Sequence, residues 1–146
     1  MDWGGKMPDL VTHTAVTFFL TKDYHFGKYR ALIYLGAILP DILSRPFYIL
    51  FPNLYYVTVG VHTPVFILFF ILLLSELFIR TIRLQVFYSL LLGVFLHFML
   101  DALQKHLVGG YYWFFPFSWH TFTWGLFWPE SAVKLFPVWV FGMALV

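Results

Sequence analysis

Five ionisable residues stand where an apolar chain has little reason to keep them: His13, Asp41, His62, His97 and Asp101, in the contexts THTA, LPDI, VHTP and HFMLD. Burying such groups is costly unless they have a partner or a task. His97 and Asp101 are four apart, so on a helix they share one face, one turn from each other. Asp9 and His13 repeat that interval. Imidazole and carboxylate at this spacing suit two ligands of one metal ion, or a ligand and the carboxylate that orients it. Taken singly, each residue also has a plain structural reading. A histidine near a helix end is an ordinary interfacial residue, Asp41 after Pro40 can end or cap a helix, and His97 with Asp101 can be a helix-surface hydrogen bond worth about 0.2–0.5 kcal/mol. His25, His106 and His120 fall in polar or aromatic loops and take the structural reading.

The elements that must position these residues follow from where the charges are missing. The chain has 146 residues, 61% apolar and 23% aromatic, with nine basic and seven acidic side chains and no cysteine. So few charges cannot clothe a water-facing surface, which in design practice is roughly 25–35% charged. A soluble globule, a disordered tail and a disulfide-stapled secreted mini-protein are excluded, and a net charge of +2 gives no case for nucleic acid. What remains is an all-α integral membrane protein, a bundle of about four to five transmembrane or half-membrane helices in one domain, 1–146. Residues 61–79 carry a single charge, Glu76, and as a helix would cover ~28 Å, close to the hydrocarbon thickness. Residues 84–100 form a second uncharged stretch; 10–20 and 31–39 are shorter apolar runs. The metal-site helices thus occupy about 8–103. An aromatic interfacial loop, rich in the Trp and Tyr of membrane boundaries, follows at 107–129, and a candidate last helix at 131–146. No basic region precedes the first apolar run as it would in a cleavable signal.

On an up-and-down path, His13 lies near the start of the first run, Asp41 at the end of the second, His62 at the opening of the third, and His97 and Asp101 at the close of the fourth. All five then fall at the same membrane face. The basic residues Lys22, Lys28, Arg30, Arg80 and Arg83 fall at the other, against Lys6, Arg45, Lys105 and Lys134 on the side of the site. The positive-inside rule makes the first set cytoplasmic and the site extracytoplasmic. Three imidazoles and two carboxylates make a mixed nitrogen and oxygen set that zinc accepts, as would manganese or iron.

The sequence resembles the YdjM-type inner-membrane metal-dependent hydrolases. The resemblance rests on D-x-x-x-H (Asp9, His13), L-P-D (Leu39, Pro40, Asp41), the V-H-T-P around His62, H-x-x-x-D (His97, Asp101) and P-F-S (Pro116, Phe117, Ser118), and runs from about residue 8 to 118. The chain departs from that pattern at Leu43, where a second acidic residue is common, and at Val57, Thr58 and Val59, where H-R-G is common. The order of spaced His and Asp is also similar to that of zinc-dependent phospholipase C enzymes, a looser likeness covering the ligands alone, and it implies phosphoester hydrolysis. With a metal in place, His13, Asp41, His62, His97 and Asp101 would be the ligands and Asp9 the partner that orients His13, while Asp41 or Asp101 would serve as general base.

The expected function is therefore a membrane-embedded metal-dependent hydrolase acting on a lipid-type phosphoester at the interface, with the bilayer and an amphiphilic substrate as partners. Two other classes remain open. A non-catalytic accessory subunit of a larger membrane complex fits the small size, aromatic flanks and absent family polar residues. A haem-binding membrane protein needs histidines on facing helices but not the aspartates.

Overall fold

The computed structural model describes residues 9–22, 27–51, 53, 59–105, 111–127, 134 and 136–144. The protein is mostly helical. In chain order the elements are α1 (Asp9–Thr21), α2 (Arg30–Leu50), α3 (Pro64–Glu76), α4 (Arg80–Leu103), the two-residue strands β1 (Tyr111–Tyr112) and β2 (Thr121–Phe122), and α5 (Phe136–Ala144). His25, His106 and Lys6 lie outside the described residues, as does the side chain of Asp9.

The packing is built on α2 against α4, where glycine meets backbone. A Cβ on Gly93 would lie 2.0 Å from the Ile33 carbonyl oxygen, and one on Gly36 would lie 2.3 Å from that of Leu90. Small residues at a crossing let two helix backbones approach closely. Around that crossing Leu39, Ile67, Ile71, Val86, Leu90, Val94 and Phe98 form the apolar core.

The helices bury two kinds of stripe, the apolar one that makes the core and beside it a small and polar one, and they also turn large apolar side chains outward. On α4 the buried stripe Ser89, Gly93, His97, Asp101 is small and polar, and Leu84, Tyr88, Phe95 and Met99 face outward. On α1 Thr12, His13, Thr17 and Thr21 are buried while Leu20 is exposed, and α3 turns Phe66, Leu68, Phe69, Leu72 and Leu73 outward.

Three boundaries differ from the sequence expectation. The third apolar run was expected to be helical from residue 61, but α3 begins only at Pro64: Thr63 is its N-cap, with Oγ1 accepting from Phe66 N–H, and Pro64 fills the first helical turn. His62 is thereby left in the turn ahead of the helix. The second run was expected to stop near Asp41. Instead α2 continues through Pro40 and Pro46 to Leu50, leaving Asp41 inside the helix. Of the two runs expected to be long enough to cross, 84–100 lies in such a helix and 61–79 does not form one. Among the described residues only α4 is long and apolar enough to cross a membrane, and α1 and α3 are short apolar helices. At 13 residues each they reach about 20 Å.

The aromatic segment folds back over the end of α4 as a small antiparallel ladder, with Tyr111 opposite Phe122 and Tyr112 opposite Thr121. The last carbonyls of α4 would otherwise lack donors. They are met by this segment: Trp124 N–H bonds to Ala102 O and Leu126 N–H to Leu103 O, both at 2.7 Å. Gly125, at φ +61°, supplies the left-handed residue that the turn between these two bonds requires. At the opposite end, Arg30 caps α1 by donating from Nη2 to the carbonyls of Thr21 and Lys22.

Candidate metal centre

Each of the five side chains reaches the site for a local reason. His13 sits one turn into α1, on its buried polar face. Asp41 is carried past Pro40 by the continuation of α2. His62 is held by the Thr63 capping turn, where Thr63 Oγ1 also donates to Gly60 O at 2.8 Å. His97 and Asp101 are successive members of the buried stripe of α4. His13, His97 and Asp101 are 1%, 0% and 3% exposed. Such a degree of burial demands that every polar atom be accounted for.

The Asp101 carboxylate is the point of convergence. Its Oδ2 lies 3.0 Å from His62 Nε2 and 3.2 Å from His97 Nε2, and its Oδ1 lies 3.4 Å from His13 Nε2. His62 Nε2 and His97 Nε2 are 3.4 Å apart. The His13 and His97 rings stack at 4.1 Å between centroids, leaving no slot between them for a macrocycle, which argues against haem held by that pair.

The far nitrogens of two imidazoles are engaged on α2. His97 Nδ1–H donates to the Ala37 carbonyl at 2.7 Å, and His62 Nδ1 lies 3.2 Å from Ser44 Oγ. An imidazole that gives its Nδ1 proton to an acceptor presents a bare Nε2 lone pair, the form that binds metal. His13 Nδ1 is buried with no hydrogen-bond partner among the described residues.

Ligands about 2.0–2.1 Å from zinc at tetrahedral angles are roughly 3.3 Å from each other. The triangle of His62 Nε2, His97 Nε2 and Asp101 Oδ2 has edges of 3.0, 3.2 and 3.4 Å. A second group, His13, Asp41 and His97, has ligand atoms within 4.8 Å of one another, as does the first. The residues present therefore fit a metal ion.

Asp41 is set apart from Asp101 by its partner: Arg45, one turn on, pairs with Asp41 Oδ2 at 2.8 Å, and both are more accessible than the core of the cluster. The aromatic segment closes the other flank. Tyr111 stacks on His62 with centroids 5.5 Å apart, and the Phe115 ring packs against the turn at Gly60. His120 is exposed on that segment.

The structure thus brings together all five residues singled out in the sequence. It adds Ser44, the Ala37 carbonyl and Tyr111, which sequence reasoning missed. Only Ser44 left a trace there, since it shares a helical face with Asp41 and Arg45 at intervals of three and four.

A family model described as zinc dependent phospholipase C matches residues 9–132. It is a different family from the YdjM-type hydrolases, so that resemblance is corrected: the likeness that extends along the chain is the one noticed only in the order of its His and Asp. No curated protein and no solved structure matches the chain.

Proposed function

The chain belongs to the zinc dependent phospholipase C family, and from that premise we propose that it is a membrane-embedded hydrolase of a lipid-type phosphoester. In this reading His13, His62, His97 and Asp101 hold zinc, Asp41 stands beside them as general base, and the site faces the extracytoplasmic side of the inner membrane. The observation that carries it is the convergence of three imidazole Nε2 atoms on the two oxygens of one buried carboxylate. The family is zinc dependent and the His/Asp cluster can hold a metal ion.

When bound, zinc supplies Lewis acidity and hydroxide at neutral pH. The protein's own groups divide the remaining work. Asp101, with both oxygens committed to the imidazoles, is a ligand. Asp41, at the rim and charge-paired, is the carboxylate placed to take the proton from the attacking water. Arg45 holds Asp41 in position and presents a guanidinium for the phosphate. Water attacks phosphorus, the ester P–O bond breaks, and the departing lipid alcohol takes up a proton.

The buried small and polar stripes of α1 and α4 and the outward Leu and Phe of α3 and α4 support membrane embedding. Large apolar side chains on an outer surface are suited to solvation by lipid tails. The longest, α4, spans, and the shorter helices are buried part-way beside it. Lys22, Lys28, Arg30, Arg80 and Arg83 lie in or beside the turns joining α1 to α2 and α3 to α4, the ends away from the site, which the positive-inside rule makes cytoplasmic.

The test is release of phosphorylated headgroup from phospholipid in mixed micelles, with and without chelation. Turnover should vanish on metal removal, return with zinc, and fall on the order of 10²–10⁴-fold in Asp41→Asn. Zinc retained without turnover on any phosphoester lipid would instead support the accessory-subunit reading.

A further inference from the structure

Two of the three imidazoles take their outer hydrogen bond from α2, but from different kinds of group. His97 uses a main-chain carbonyl, which no substitution at that residue removes. His62 uses a side chain. Ser44 is 1% exposed, and its Oγ lies 3.2 Å from His62 Nδ1 and 3.4 Å from the Asp41 carbonyl three residues back. The second contact is the back-bond of a helical serine. A hydroxyl has one proton and two lone pairs. Facing Asp101 alone, His62 Nε2 lies 3.0 Å from a carboxylate oxygen that can only accept. Were zinc held on Nε2, the imidazole would keep its proton on Nδ1, and Ser44, its own proton directed at the Asp41 carbonyl, would offer that Nδ1–H a lone pair.

We propose that Ser44 is a positioning residue of the metal centre: its hydroxyl holds the outer nitrogen of His62 and so aims Nε2 at the point where Asp101 and His97 converge. This rests on the metal-centre reading and extends it to a residue outside the ligand set. His62 lies in a turn, so it lacks the helical support that orients His13, His97 and Asp101. Ser44 supplies that support across 18 residues of chain. The same hydroxyl ties the His62 ring to the backbone of Asp41, so two residues of the site from separate segments are set by one side chain.

The experiment has two readouts on detergent-purified protein. The first is the imidazole NMR spectrum of histidine-labelled, zinc-loaded protein, with the His62 signals assigned by their loss in His62→Gln. The second is zinc titration against a chromophoric chelator. Wild type should show His62 protonated at Nδ1 with that proton hydrogen-bonded. Ser44→Ala should lose the hydrogen bond and bind zinc about 10–100-fold more weakly, while Ser44→Thr, which keeps a hydroxyl, should restore both. His62 protonated at Nε2 in the zinc-loaded wild type, or an unchanged Nδ1–H signal and zinc affinity in Ser44→Ala, overturns the proposal. A wild type that takes up no zinc overturns the metal reading on which the role of Ser44 rests.

Discussion

Asp101 does more at this centre than any other side chain, because three imidazoles from α1, α4 and the turn before α3 point their Nε2 atoms at its two oxygens. Asp101→Asn keeps the volume, removes the charge and turns an amide towards the nitrogens. Elemental analysis should show zinc falling to background in this variant, with the helical circular dichroism retained; a full complement of metal would remove Asp101 from the ligand set. Arg45 sits outside that set, paired to Asp41 at 2.8 Å. Arg45→Gln should therefore keep its zinc while turnover drops on the order of 10²-fold, whereas loss of metal would make Arg45 part of the holding machinery. Much of this scale was legible in the sequence, since residue type and the interval from His97 to Asp101 already put two metal-binding groups on one face. What was not legible came from contacts across 18 and 60 residues of chain, Ser44 to His62 and Ala37 to His97. No local pattern encodes them.

Helix against helix, the site depends on how near α2 comes to α4. The Ala37 carbonyl reaches His97 Nδ1 at 2.7 Å because Gly36 and Gly93 let the backbones touch. Gly93→Ala would put a Cβ 2.0 Å from the Ile33 carbonyl, and the only relief is for the helices to part. The expected result is a loss of about 1–3 kcal/mol in stability, with weakened zinc binding as the His97 bond lengthens. Thermal melts and zinc titration would check this, and a variant as stable and as tightly metallated as wild type would refute the close crossing. The sequence misled at this scale where a local rule met tertiary packing. Pro40 reads as a helix stop and costs an interior hydrogen bond, yet α2 runs through it along its long contact with α4, which keeps Asp41, Ser44 and Arg45 on one helical face. The fastening of the aromatic segment to the last carbonyls of α4 was invisible, because main-chain pairing leaves no side-chain signature.

At the scale of the whole molecule the few charges gather at the ends: Lys22, Lys28, Arg30, Arg80 and Arg83 with Glu76 at the turns of one end, and Asp41, Asp101 and the imidazoles with Arg45 and Lys105 towards the other. Because the chain has no cysteine, single-cysteine variants map its orientation without background. Lys28→Cys should react with an impermeant maleimide only after the inner membrane is opened, and Phe117→Cys should react in intact spheroplasts. Both reacting from the same side would refute the proposed orientation of the site and the basic end. The reading as a whole depends on one point, that the buried cluster exists to hold metal. The most direct measurement is elemental analysis of detergent-purified protein, wild type beside His97→Ala. About one or two zinc ions per chain are expected in the wild type, with a sharp reduction in the variant. Equal metal in the two proteins, or none in either, would contradict the assignment of the centre.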